Sequence, residues 1–178
     1  KPIKGIISYS RNVMVPVEEV AKGRYPSNGE LLAKIDAFTR EYQDTKISRG
    51  LADYDDLLVL WLKVLETNQE AAQYYQQRFS HILVDEYQDV NDVQEKIITS
   101  LYKHAQLLVV VGDDQQNIYT FRDTKIKYIL EFTKNHNNAE YKYLVKNYRC
   151  NTNFVTLANA VLSENKNKLD KTIEAMKQ

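Results

Sequence analysis

His81-Ile82-Leu83-Val84-Asp85-Glu86-Tyr87-Gln88-Asp89-Val90-Asn91 is the stretch on which the fold turns. Ile82, Leu83 and Val84 run together without a polar break, the pattern of a strand buried on both faces of a parallel sheet. The run ends abruptly in Asp85 and Glu86, and open α/β sheets gather ligands at such carboxyl ends. Two adjacent acids there can share the chemistry. One holds Mg²⁺ through water, and the other polarises a water beside a nucleotide γ-phosphate. Apolar-then-acidic is also how an ordinary strand leaves a core.

On the C-terminal side, strand and helix patterns alternate. Val93, Ile97 and Leu101 mark a helix, and Leu107 to Val111 a second buried strand that ends in Gly112-Asp113-Asp114. Ile126, Ile129 and Leu130 mark the next helix. Tyr141 to Val145 reads as a third strand, ending in Lys146-Asn147-Tyr148-Arg149. Phe154, Leu157, Val161 and Leu162 make a further helix, followed by a charged tail over 163–178, helical or frayed. Strand–helix–strand units of this length predict a parallel α/β sheet.

On the N-terminal side the pattern is all-helical. Pro16 suits the first turn of a helix through Glu18, Glu19 and Val20. Ser27 and Glu30 form a capping-box pattern for a helix carrying Leu31, Ile35, Phe38 and Tyr42, which ends near Gln43. Asp44 to Gly50 reads as a loop. Tyr54, Leu57, Leu58, Trp61, Leu62 and Leu65 then share one helical face, a core stripe, with Asp53, Asp55 and Asp56 at the positive end of the dipole. Thr67 to Phe79 is helix-prone. The predicted organisation is a helical part over 1–79, an α/β part over 80–162 and the tail over 163–178.

Composition narrows the class. The 178 residues are 43% hydrophobic and 27% charged, as in a globular chain with a real core. Net charge is zero, so any polyanion site is local rather than a global basic field. The one cysteine, Cys150, excludes an internal disulfide and fits a reducing, cytoplasmic compartment. No run of about 18 apolar residues predicts a membrane span, and the first residues lack a signal-peptide core. The chain starts at Lys1 rather than Met, so a trimmed or excised piece is expected.

Three strand ends carry polar clusters, and strands of one parallel sheet would bring them to one edge. Gly112 permits a tight turn beside a ligand, and Gln116 can orient a water or touch a γ-phosphate without adding charge. Arg149 can pair with charge developing in phosphoryl transfer, and Tyr148 can stack on a base. In Ile118-Tyr119-Thr120-Phe121-Arg122 the alternate aromatics beside an arginine suit stacking on single-stranded bases, or packing under the next helix. Arg122 to Arg149 holds seven Lys or Arg against three Asp or Glu, compatible with phosphate contact or with a solvated face.

These stretches resemble motifs of the UvrD/Rep-type superfamily 1 helicases. Val84 to Asn91 resembles motif II (V-D-E-Y-Q-D-x-N), Val111 to Arg122 motif III (V-G-D-x-D-Q-S-I-Y-x-W/F-R), and Leu144 to Cys150 motif IV (L-x-x-N-Y-R-S). Tyr54-Asp55-Asp56-Leu57-Leu58 resembles the F-D-D-L-L that closes the family's helical insertion. The resemblance implies a partial RecA-like P-loop NTPase sheet preceded by a helical insertion subdomain. It implies ATP and Mg²⁺ as cofactors, with Asp85 on the metal, Glu86 as general base, Gln116 and Arg149 at the γ-phosphate, Tyr148 over the adenine, and Gln88 and Asp89 linking to motif III. Tyr119, Phe121 and Arg122 would meet single-stranded DNA, and the activity implied is ATP-driven translocation, 3′ to 5′. Gln115 departs from the family's Asp, and Phe121 fills a Trp/Phe slot. No two of the five glycines are spaced as in G-x-x-x-x-G-K-[ST]. The chain is therefore expected to need the remaining helicase domains, to be inactive alone and to self-associate. A non-catalytic nucleic-acid- or protein-binding module derived from a helicase is the alternative, with a helicase–nuclease subunit a third reading.

Overall fold

The computed structural model describes residues 2–26, 28–117, 123–166 and 168–177. Five helices come first: α1 (Pro2–Asn12), α2 (Val17–Arg24), α3 (Gly29–Ser48), α4 (Tyr54–Thr67) and α5 (Gln69–Arg78). Then follow β1 (His81–Val84), α6 (Asp92–Tyr102), β2 (Leu107–Val110) and two one-turn helices, α7 (Lys127–Leu130) and α8 (Phe132–Asn135). The chain ends in β3 (Lys146–Asn151), α9 (Thr152–Ser163) and β4 (Glu174–Lys177).

In the helical part α3, α4 and α5 start on polar side-chain caps. Asn28 receives the Leu31 N–H at the head of α3, while Ser27 lies outside the described residues. Asp53 and Asp56 close a reciprocal capping box on α4. Ile6, Val20, Ala21 and Ile35 form the core between α1, α2 and α3. The loop expected over Asp44 to Gly50 is instead a continuation of α3 to Ser48. The cause is Lys46, whose buried ammonium meets Asp53 at 2.7 Å and Asp56 at 2.5 Å, so the helix must reach that point. Gly50, with φ +61°, then supplies the left-handed step that ends it. The predicted core stripe of α4 holds only towards its C-terminal half: Leu62 and Leu65 are buried and Trp61 packs edge-on to Tyr75, but Tyr54 and Leu57 are exposed.

β1 and β2 pair in parallel, from His81 opposite Leu107 to Val84 opposite Val110. One face of this ribbon packs on Tyr87, Val90, Ile129 and Phe132 through Val84, Leu108 and Val110. Side chains alternate across a strand, so Leu83 points the other way and is 74% exposed. The expected burial of β1 on both faces is thus corrected: among the described residues only one face is covered.

The expectation of a third strand beside these two is also overturned. Tyr141 turns inward, its hydroxyl donating to the carbonyls of Ile129 and Leu130 at 3.0 and 2.9 Å, and it packs with the Tyr87 cluster. That commits the segment 141–145 to side-chain anchoring, and the strand forms later, at Lys146–Asn151. β3 pairs in parallel with β4 in a second two-stranded sheet, Lys146 opposite Glu174 and Asn147 opposite Ala175. The tail expected to be helical or frayed therefore contains a strand. No helix among the described residues is long and apolar enough to cross a membrane.

Candidate active site

The site grows from the loop after β1. Asp85 is exposed and accepts the Glu86 N–H at 2.9 Å. Glu86 adopts φ 51°, ψ 42°, a left-handed conformation that costs a non-glycine residue about 1 kcal/mol. The turn that follows is held from below. Tyr87 is fully buried, its amide bonded to the Val111 carbonyl at 2.9 Å and its hydroxyl to Glu95 at 2.6 Å. Burial, and then that carboxylate, push the Tyr87 phenol well above its ordinary range.

Gln88, 1% exposed, ties this loop to the next. Its Nε2 donates to Glu86 Oε2 at 2.6 Å, and its Oε1 receives the Asp113 N–H at 3.0 Å. Its backbone carbonyl accepts from Asn117. Gly112 makes the approach possible. A Cβ there would strike Gln88 Oε1 and lie 2.9 Å from Ile129 Cδ1. The loop after β2 then presents Asp113, whose Oδ2 receives Gln116 Nε2 at 2.7 Å.

The structure therefore brings together Glu86, Gln88, Asp113 and Gln116 in one hydrogen-bonded chain. Gln88 uses both ends of its amide on protein partners, a placement that suits a link. Tyr148 and Arg149 sit apart from this chain, exposed on β3, and neither side chain makes a hydrogen bond or ion pair among the described residues. β3 belongs to the other sheet, so no shared strand-end edge joins them to Glu86. Tyr119, Phe121 and Arg122 lie outside the described residues. Among the described residues, a cleft of about 860 Å³ is lined by Asn12, Arg24, Tyr54, Asp55, Asn91 and Asp123. Asn12 of α1 spans it, donating to Asp123 and accepting from Asn91, each at 3.3 Å.

Sequence reading missed two groups. Lys171 Nζ binds Asp113 Oδ1 at 2.7 Å and the buried Asp114 at 2.6 Å, contacts that span more than fifty residues and have no local signature. Burial opposes the charge on Lys171, but its bonds to the two carboxylates outweigh this and raise its pKa. Burial likewise raises Asp113, and Lys171 and Gln116 more than reverse it, leaving the carboxyl below its usual range. The second missed group is Asn12, which stands just before Val13-Met14-Val15 and carries no local signature of a polar contact.

No group of three or more potential metal ligands occurs among the described residues. A magnesium ion bound with nucleotide needs only one or two carboxylates, the remaining ligands being water and phosphate. Asp85 fits that demand: it is exposed, at a strand end, and makes no ion pair among the described residues.

The polar cluster lies at the carboxyl ends of two parallel strands, braced by one buried amide, where open α/β sheets gather ligands. This chain belongs to the UvrD/REP helicase N-terminal domain family, whose model matches residues 2–137. It is 34% identical over 173 residues to the ATP-dependent DNA helicase PcrA of Leuconostoc citreum, covering 97% of this chain and 23% of that protein. The PcrA of Bacillus subtilis is 33% identical over 173 residues, with the same coverage. DNA helicase II of Haemophilus influenzae is 40% identical over 132 residues, or 74% of this chain and 18% of that one. The chain spans about a fifth of the length of the curated relatives it matches. The family match stops before β3.

Proposed function

We propose that this chain is part of an ATP-dependent DNA helicase or translocase in which Mg-ATP hydrolysis drives movement on single-stranded DNA, 3′ to 5′. Residues 1–79 are then the helical insertion and residues 80–162 carry motifs II, III and IV. Asp85 holds the hydrated Mg²⁺, which when bound would neutralise charge on the terminal phosphates. Glu86 accepts a proton from the attacking water, and Gln116 reads the γ-phosphate. Arg149 and Tyr148 approach the nucleotide from the β3 unit, at the phosphate and the adenine. Tyr119, Phe121 and Arg122 meet the bases of the strand.

The observation that carries this reading is Gln88. One buried amide binds the proposed base, Glu86, and the backbone of Asp113, whose carboxylate holds Gln116. Hydrolysis chemistry and nucleotide sensing are thereby mechanically joined. The test is ATP turnover, with and without single-stranded DNA, by the protein encoded in the complete reading frame. Turnover should require Mg²⁺, and Glu86→Gln should lower kcat by at least roughly 100-fold. An E86Q protein as active as the wild type would end the assignment. An inactive complete protein that still binds DNA would favour the non-catalytic module. The 178-residue chain alone is expected to hydrolyse no ATP.

A further inference from the structure

The β3–α9–β4 unit meets the site through a charge contact. The hydrogen bonds and ion pairs that join it to the β1–β2 part, among the described residues, end on Asp113 and Asp114. Leu169 N–H binds Asp114 Oδ2 at 2.8 Å, and Lys171 bridges both carboxylates. Lys171 stands three residues before β4, in a segment held by Glu174 N–H on the Val145 carbonyl and Asn159 on the Ile173 carbonyl, each at 2.8 Å. Its backbone is thus tied to the strand pair that carries Tyr148 and Arg149.

At the other end of the contact, the two oxygens of Asp113 are divided. Oδ1 takes the Lys171 ammonium at 2.7 Å and the Gln115 N–H at 3.1 Å, while Oδ2 takes the Gln116 amide at 2.7 Å. We propose that Lys171 is a positioning residue for Gln116: by occupying one oxygen of Asp113 it fixes the carboxylate so that the other presents Gln116 to the site. This rests on the reading of Gln116 as the nucleotide sensor, and it makes Lys171 the point where a shift of the β3 unit is passed to that sensor. The Lys171 bond carries charge on both partners and is 2.7 Å long, against 3.1 Å for the neutral Gln115 N–H, so Lys171 sets the Asp113 rotamer more firmly than Gln115 does alone. Lysine also cancels one of two adjacent carboxylates beside a place where a polyanion is to bind.

A purely structural role would be neutralising the buried Asp114, and the two roles separate experimentally. The measurement is the side-chain amide pair of Gln116 in ¹⁵N–¹H spectra of the 178-residue chain without nucleotide, assigned by its loss in Gln116→Ala. Lys171→Met should move that pair to the position of a solvated glutamine, and Lys171→Arg should leave it near the wild-type position. Because Lys171→Met strands a buried charge and can unfold the chain, the double variant Lys171→Met/Asp114→Asn is measured beside it; there the pair should still move. A Gln116 pair unmoved in the folded double variant, or moved as far by arginine as by methionine, overturns the proposal. The spectra contain no ATP, so the latch and the motor assignment fail separately: an intact latch with no ATP turnover by the complete protein would sink only the motor.

Discussion

Gly112 and Gln88 settle how near the two site loops can come. The glycine is needed for space: its missing Cβ is where Gln88 Oε1 now sits. Gly112→Ala should destabilise the chain by about 1–3 kcal/mol, read as a lower urea midpoint at unchanged slope. Glu86 holds its direction at the cost of backbone strain in the left-handed region, and such outliers cluster where a side chain must be aimed. That Asp85 and Glu86 close β1 was legible from the letters. Why Glu86 stays put was not, since the restraint comes from an amide two residues on whose other partner lies on the next strand loop.

At the scale of elements, the head of α4 carries the densest polar network. Asp53 caps the helix, and its carboxylate also takes Arg11, Tyr42 and Lys46. Burial works against the charge, but Lys46, the Asp56 amide, Tyr42 and Arg11 together hold the carboxyl far below its ordinary range. A folded-state pKa below the unfolded value means stability that is complete above about pH 5 and lost as pH falls through the ordinary carboxylate range and below it. Urea midpoints should therefore decline below about pH 5 in the wild type, and less steeply in Asp53→Asn. At pH 7 that variant, which keeps a capping side chain but loses the ion pairs, should be less stable by about 1–3 kcal/mol. A midpoint equal to wild type at pH 7 would show that Arg11 and Lys46 re-pair with Asp56 alone. The network also explains the long α3: three elements separated in sequence converge on one carboxylate, which no window of local propensity contains.

Across the whole molecule, apolar surface is left open. Leu83, Leu107 and Val111 are exposed on the β1–β2 ribbon, and Phe154, Leu157 and Val161 form an exposed stripe on α9. Among the described residues this two-stranded ribbon also has both edges unpaired. The chain on its own is accordingly expected to self-associate, seen as a mass in light scattering that rises with concentration; a steady monomer at high concentration would contradict this. In the same measurement Leu83→Lys should lower the apparent mass.

Sequence alone determined the element types over most of the chain, the parallel pairing of the two central strands, the placing of Asp85, Glu86 and Gln88 just after the first of them, and the family. Each of these is written in short windows: periodicity, a cap, or a run of eight to twelve letters. Tertiary structure alone decided that the third strand starts at Lys146 and joins Glu174–Lys177, that one face of β1 is open, and that Lys171 and Asn12 belong to the site's surroundings. Those features are contacts between residues far apart along the chain. Their energy appears only once burial has brought the partners together and removed the water that would otherwise satisfy them.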